Sequence, residues 1–510
     1  MMKKMPVEKK SSVKNSALRV FLTGIAILVQ LFWIMNFLGA FRILSQDVSR
    51  IVSVLAVFVA LWIYGRDKNM SINVPWMVLI LIFPIVGLIL YFMMGRTSLT
   101  NPIRKVYRKI DNMLDPYFRQ DPLILQDLKH EDLAIYNQAY LIRHSGNFPI
   151  YEHTDITYYS TAYEGFLAQL EALKKAKHFI FMEYHAIEDG GSFQQMKDIL
   201  VLKAKEGVEV RIAYDDIGSA FFLNKQFKKQ MEANGIQCRI FNPIRPWIQM
   251  FMNNRDHRKI MVIDGEIAFT GGYNLADEYF NITHPYGYWK DTGIQMRGLA
   301  VNSMTLIFLE MWNVLEHSDH DITQYLRAKP VVARGYVQPY ADSPLDEEYL
   351  GENAYMNILN NAKKYVYFVT PYLIITDEMV RAMTLACKRG VDVRIITPGI
   401  PDKKITYRIT RSNYRVLVNR GVRIYEYTPG FSHAKMCVSD AETAIIGTIN
   451  LDYRSLYLNF ENGVFLYDVK AIHDIYEDFM KMFEQSQEVT KEYEGDAPML
   501  LRTWNALLRL

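Results

Sequence analysis

A block of eight residues occurs twice in this 510-residue chain, and its surroundings repeat with it. Lys205-Glu-Gly-Val-Glu-Val-Arg-Ile212 returns as Lys388-Arg-Gly-Val-Asp-Val-Arg-Ile395. In each copy a β-rich run (178–184, then 365–370) leads into an amphipathic helix, and a further strand follows. Ser192 with Gln195 reads as a capping-box pair opening the first helix, and Thr376 as the cap of the second. Gly207 and Gly390 sit where a helix C-terminus takes a left-handed residue. Two β-α-β units predict parallel strands covered by helices, hence a duplicated α/β fold. Residues 328–353, with three prolines, are the natural link between a first half at 136–327 and a second at 354–510.

The chemistry lies towards the end of each copy. His257, Lys259, Asp264, Gly271, Gly272 and Asn274 follow the same spacing as His433, Lys435, Asp440, Gly447, Thr448 and Asn450. Both stretches fit H-x-K-x4-D-x6-G-[GT]-x-N, and the two histidines are 176 residues apart. Two full matches in equivalent places of a repeat are not an accident of composition.

On a strand, residues two apart share a face, so each histidine and its lysine point the same way. Arg258, Ile260 and Val262, or Ala434, Met436 and Val438, then face oppositely. Asp264-Gly265 reads as the turn that ends the first strand. Pairing the copies would gather two imidazoles and two ammonium groups around one pocket. That set suits a phosphodiester: the lysines neutralise its oxygens, one histidine attacks phosphorus, and the other protonates the departing oxygen. Each imidazole needs an acceptor for its second nitrogen. Asp264 and Asp440 are candidates, as is any carboxylate reached only in the fold.

Ahead of the repeat the chain is apolar. Uncharged runs cover 20–41, 51–65 and 74–94, of 22, 15 and 21 residues. A span needs about 20 apolar residues, so the first and third qualify. Basic residues precede the first run (1–19) and follow the third, in a connector at 96–135. Both flanks favour the cytoplasmic side, which calls for an even number of crossings within the membrane segment 20–95. The expectation is two spans, the short run lying re-entrant or interfacial, and a cytoplasmic catalytic part. Three spans with the catalytic part outside is the alternative. Cys238, Cys387 and Cys437 are far apart and read as buried free thiols.

The doubled H-x-K-x4-D followed by G-x-x-N resembles the signature of the phospholipase D superfamily. The stretches 254–259, 271–279, 287–292, 430–435, 450–455 and 459–461 resemble the bacterial cardiolipin synthases, as does the apolar run ending at Gly95-Arg96. The resemblance implies N-terminal transmembrane helices followed by a duplicated phospholipase-D-like fold with one shared active site. It further implies a phosphatidyltransferase, located in the bacterial cell membrane, that makes cardiolipin and glycerol from two phosphatidylglycerols without a cofactor, metal or nucleotide. His257 would be the nucleophile and His433 the acid/base. Lys259, Asp264, Lys435 and Asp440 complete the catalytic set, and Gly272, Asn274, Thr448, Asn450 and Glu461 support the pocket. Thr448 stands where the family commonly has serine. The partners implied are membrane phospholipids and no nucleic acid.

The first copy carries an insertion of about ten residues before its catalytic strand, a common place for added function. Ile244–Met252, with Arg245, Trp247 and Phe251, has the composition of an interfacial segment or of core filling. His317 and His320, beside Asp319 and Asp321, read as a solvated helix end rather than a metal site. His178 and His185 read as structural. The competing functions are a hydrolytic phospholipase D, a phosphatidylserine synthase, a nuclease and a membrane scaffold with a dead site.

Overall fold

The computed structural model describes residues 46–499, apart from 66–69, 93–100, 244–252, 317–320 and positions 221, 224–225, 347 and 497. The apolar run 20–41, the inserted segment with Arg245, Trp247 and Phe251, and the pair His317 and His320 therefore lie outside the described residues.

The duplication is one of topology as well as sequence. The first sheet runs, from edge to edge, Thr154–Tyr159, Gly293–Gly298, Ile267–Gly271, Lys259–Ile263, Phe179–Tyr184, Glu209–Asp215, Gln237–Phe241. The second runs Tyr336–Asp342, Asn459–Tyr467, Thr443–Gly447, Met436–Ser439, Tyr365–Val369, Asp392–Pro398, Arg423–Tyr427, then Ser486–Glu488. The seven shared positions match one for one. In each sheet the β-α-β strands are parallel, as expected, but the remaining strands, four in the first and five in the second, are antiparallel. The short turn after each H-x-K strand allows only an antiparallel return.

The two sheets face each other across a shared core. Phe308 and Trp312 of helix Val301–Leu315 and Phe479 of helix Ala471–Glu484 lie in this layer, packed with Ile260, Val262, Met436 and Val438 from both sheets. The outer face of each sheet carries its own helices and core. Helix Leu133–Gly146, assigned by sequence to the first half, packs instead through Ile135, Ala139 and Ile142 into the second half's outer core. Gln338 Nε2 donates to Ala139 O there, at 3.1 Å.

Local signals fared unevenly. Gly207 and Gly390 take φ of 90° and 88°, as their helix ends required, and Thr376 caps Asp377–Lys388. Ser192 and Gln195 form no capping box, because the helix Gly191–Lys205 begins two residues earlier than that cap would set it, with Gly190 as N-cap. Its first amides are held by a remote carboxylate: Gly191 N, Ser192 N and Ser192 Oγ all donate to Asp277. Cys238 and Cys437 are buried free thiols, whereas Cys387 is only half-buried.

Helices Gln46–Tyr64, Met70–Ile82 and Pro84–Leu90 pack together through Ala56, Ile63, Ile80, Leu88 and Tyr91. Ile51, Phe58, Leu61, Ile82 and Phe83 face outward. The run 74–94 is not one continuous helix: it breaks at Phe83, before Pro84. No helix among the described residues is long and apolar enough to cross a membrane. Helix Asn101–Leu114 then docks against helix Val301–Leu315 of the first half, and its Tyr107 reaches the second half to stack on Phe460 with centroids 5.0 Å apart.

Candidate active site

Each histidine is delivered to the other half by a short exchange of strands. Arg255–Asp256 pairs in parallel with Asn459–Phe460, and His257 N donates to Phe460 O at 2.9 Å. Reciprocally, Gly430–Ser432 pairs in parallel with Tyr288–Lys290, and His433 N donates to Lys290 O at 2.7 Å. The residue after each partner segment is a buried carboxylate, Glu461 or Asp291. The exchange sets these carboxylates against the imidazoles. His257 Nδ1 lies 2.8 Å from Glu461 Oε2, and His433 Nδ1 lies 2.6 Å from Asp291 Oδ2.

A carboxylate at Nδ1 holds the ring proton there and leaves Nε2 with the lone pair. Glu461 is itself fixed by Thr448 Oγ1, donating at 2.6 Å, and by Asn459 Nδ2 at 3.2 Å. Gly272 occupies the position equivalent to Thr448, and there only glycine fits. A Cβ would stand 2.0 Å from Asp291 Oδ1. Asn274, buried, accepts from Ala186 N at 3.1 Å and donates to the hydroxyl of Tyr279, whose ring lies against His433. Asn450 is buried with its side-chain oxygen unpaired.

Each lysine lies against the histidine of its own motif, although the spacing predicted one strand and each H-x-K instead spans a break between two strand segments. Lys259 Nζ donates to His257 O at 2.6 Å, and Lys435 Nζ lies 2.8 Å from His433 Nδ1. Burial, then the two lysines, holds both imidazoles well below their ordinary pKa, so both are neutral in the empty site. Burial also pushes Lys259 down to about 8 and Lys435 to about 7. It lifts Asp291 and Glu461 to about 7 against the pull of the lysines.

Asp264 and Asp440 do not orient the histidines. Asp264 accepts from the backbone amides of Lys177, His178 and Phe179 at 2.9, 2.7 and 2.9 Å. Asp440 does the same for Lys363, Lys364 and Tyr365 at 2.7, 2.8 and 2.9 Å. Both take left-handed φ, 55° and 56°, at the turn that follows each H-x-K strand. A three-amide acceptor at a tight turn is a clamp between neighbouring strands, and it engages both carboxylate oxygens.

Chain comparisons accord with this geometry. Residues 170–288 and 355–484 match the family "Cardiolipin synthase, PLD-like domain", and residues 51–96 match "Phospholipase_D-nuclease N-terminal". A cardiolipin synthase 2 of Bacillus anthracis is 34% identical over 86% of this chain and 85% of its own. A cardiolipin synthase of Halalkalibacterium halodurans is 31% identical over 95% of each chain. The chain belongs to the cardiolipin synthase family. Another relative of this family member, an uncharacterized protein of Streptococcus mutans, is 43% identical over 84% of this chain and 94% of its own. The crystal structure of phosphatidylserine synthase from Haemophilus influenzae shares the fold, with a TM-score of 0.54 at 15% identity, covering 69% of this chain and 92% of that one.

Sequence reasoning about this cardiolipin synthase family member missed two residues. Asp291 was visible only as part of a family-like stretch, with no role. His185, read as structural, packs its ring against His257 with centroids 5.0 Å apart, while its Nδ1 pairs with Asp256 O at 2.7 Å. For His185 the available signal was a polar residue at the end of an apolar strand; Asp291, between Lys290 and Thr292, offered none. Among the described residues no group of three or more His, Cys, Asp or Glu side chains is arranged to hold a metal ion.

Proposed function

We propose that the chain makes cardiolipin and glycerol from two molecules of phosphatidylglycerol at one composite site. The observation that carries this reading is the reciprocal strand exchange, which gives each histidine an orienting carboxylate beside two lysines. Lys259 and Lys435 hold the non-bridging oxygens of the phosphodiester. The anion restores the proton affinity that burial removed from the site, and His433 enters the reaction protonated. Nε2 of His257 attacks phosphorus, the bond to the headgroup glycerol breaks, and His433 gives its proton to the leaving oxygen. A hydroxyl of the second lipid's glycerol then loses its proton to His433 and attacks. The phosphorus–nitrogen bond breaks, leaving His257 free and His433 protonated. Glu461 and Asp291 stabilise the two imidazoles through both steps. Gly272, Thr448, Asn274 and Asn450 support them.

The reading includes a multi-pass membrane segment at 20–95 in a bacterial cell membrane, with the two halves on the cytoplasmic side. The basic flanks and the outward apolar faces of helices Gln46–Tyr64 and Met70–Ile82 support it. The composition of the segment with Arg245, Trp247 and Phe251 supports a role at the membrane interface. Lysines supply the charge neutralisation, so turnover is expected to survive a chelator. Loss in chelator that zinc or magnesium restores would contradict that.

The test is to give the purified full-length protein phosphatidylglycerol alone in mixed micelles. Cardiolipin and glycerol are expected in equal amounts; phosphatidic acid as the main product would favour hydrolysis instead.

A further inference from the structure

Cardiolipin formation poses a charge problem that hydrolysis does not. The lipid that accepts the phosphatidyl group carries its own phosphodiester, separated from the attacking hydroxyl by a three-carbon glycerol. When it enters, Lys259 and Lys435 are already occupied by the reacting phosphate. A second anion brought into a low-dielectric pocket needs a cation of its own.

The charged side chains around the site are mostly committed. Arg255 pairs with Asp215 at 3.3 Å, Arg258 with Glu310 at 3.0 Å, and Lys290 with Asp478 at 2.7 Å. Lys403 differs. It belongs to neither motif, its side chain is 65% exposed, and its ion pair with Asp402 is the longest of these, at 3.6 Å. It is held at the rim by its surroundings. Nζ lies over the ring of Tyr372, 5.2 Å from the centroid, and donates to the Tyr372 hydroxyl at 3.2 Å. That hydroxyl donates in turn to Asp402 Oδ2 at 2.5 Å, and Lys403 Nζ stands 3.6 Å from the same oxygen.

The rim is continuous with the catalytic pocket. Tyr372 lies against Phe431, centroids 6.4 Å apart, and Phe431 against His433 at 5.7 Å. The loop that carries Lys403 is tied to the strand leading to His433, since Ile400 N donates to Gly430 O at 3.3 Å. From the first half, Glu278 is near enough to Asp402 that burial, and then repulsion by Glu188 and Asp402, lifts its carboxyl to about 7. An oriented cation thus stands beside carboxyl groups able to accept, and in part donate, hydrogen bonds to hydroxyls. That is the complement of a phosphoglycerol headgroup.

We propose that Lys403, oriented by Tyr372 and Asp402, is the docking site for the phosphodiester of the acceptor lipid, with Asp402 and Glu278 facing its glycerol hydroxyls. The site decides which nucleophile resolves the phosphatidyl-histidine, so it rests on the reaction proposed above and sharpens it. A phosphate-free acceptor, glycerol or water, makes no use of Lys403.

The experiment is a partition. The purified full-length protein receives phosphatidylglycerol with radiolabelled glycerol, so that one intermediate goes either to labelled phosphatidylglycerol by exchange or to cardiolipin. Lys403→Ala lowers the ratio of cardiolipin to exchange product on the order of tenfold, the worth of a charge-assisted contact. Lys403→Glu lowers it further, Lys403→Arg restores most of it, and Tyr372→Phe shifts it in the same direction by less. A ratio unchanged in Lys403→Ala, whether or not both rates fall, overturns the docking site. A wild-type protein that yields neither product overturns the underlying reaction and the docking site with it.

Discussion

Nδ1 of His257 lies 2.8 Å from a carboxylate oxygen of Glu461, 204 residues further along the chain. The equivalent contact in the other half, His433 to Asp291, is 2.6 Å and runs backwards by 142 residues. Neither histidine finds its acceptor in its own repeat. The duplication therefore does more than supply two copies of a motif: each half completes the other.

This relationship separates two kinds of carboxylate. Glu461→Gln and Asp291→Asn keep volume but lose the acceptor that fixes the imidazole, and should lower kcat by about 10²–10⁴-fold with little change in KM. Asp264→Asn and Asp440→Asn should instead destabilise the fold, by about 1–3 kcal/mol each for amides left short of an acceptor. They should keep kcat within about tenfold, the equivalent of ~1.4 kcal/mol. Thermal melts and steady-state kinetics on the four variants read both effects. The reverse assignment would return Asp264 and Asp440 to the catalytic centre.

What was legible from sequence was whatever depends on short spacing. The repeat, the H-x-K pairs and the turn after Ile263 follow from periodicities of two residues and from turn chemistry. Arg258, Ile260 and Val262 do face away from the pocket, into the core between the sheets. What could not be read is what the exchange creates, since nothing local to His257 points to Glu461. Asp264 fits the turn so well that its carboxylate was already spoken for, and the same residue could not serve a ring as well. Ser192 failed as a cap for a related reason: Asp277, 85 residues away, does that work from outside the helix.

His185 should act as a positioning residue for His257. Its place is taken in the second half by Pro371, so the contact has no twin. His185→Phe keeps a ring of similar shape but loses the bond to Asp256 O. It should lower kcat about tenfold at unchanged KM, in keeping with one hydrogen bond. His185→Gln, which retains a donor, should recover part of the loss. Equal falls in both variants, with a lowered melting temperature, would make the residue structural.

Phosphodiester binding should draw protons from solution. Burial leaves Lys259 at about 8 and Lys435 at about 7 in the empty site. An anion favours the ammonium forms, and its binding raises both values. Between pH 7 and 8.5 the free amines are partly deprotonated, so binding takes protons up and the affinity weakens as pH rises. Calorimetry with glycerophosphoglycerol in buffers of different ionisation enthalpy measures the uptake at pH 8. Binding without uptake would mean that both lysines are charged in the empty site.

The segment before Arg255 can be tested by contrast of substrates. Replacing Trp247 and Phe251 by serine should depress turnover of bilayer phosphatidylglycerol far more than turnover of a short-chain soluble analogue. On this reading the residues would supply apolar area at the headgroup level, and Arg245 would add about 1 kcal/mol towards an anionic surface. Equal losses on both substrates would make the segment part of the core.

Two histidines from two halves divide one reaction between them. The most direct measurement is acid-quenched mass spectrometry of His257→Ala and His433→Ala after exposure to phosphatidylglycerol, with cardiolipin quantified in parallel. Each variant should keep less than about a hundredth of wild-type synthesis, within the usual worth of a general acid or nucleophile. A phosphatidyl adduct is expected on the peptide containing His257 in the His433→Ala protein, and none in His257→Ala. Cardiolipin made by either variant above that level, or no adduct on His257, would contradict this division.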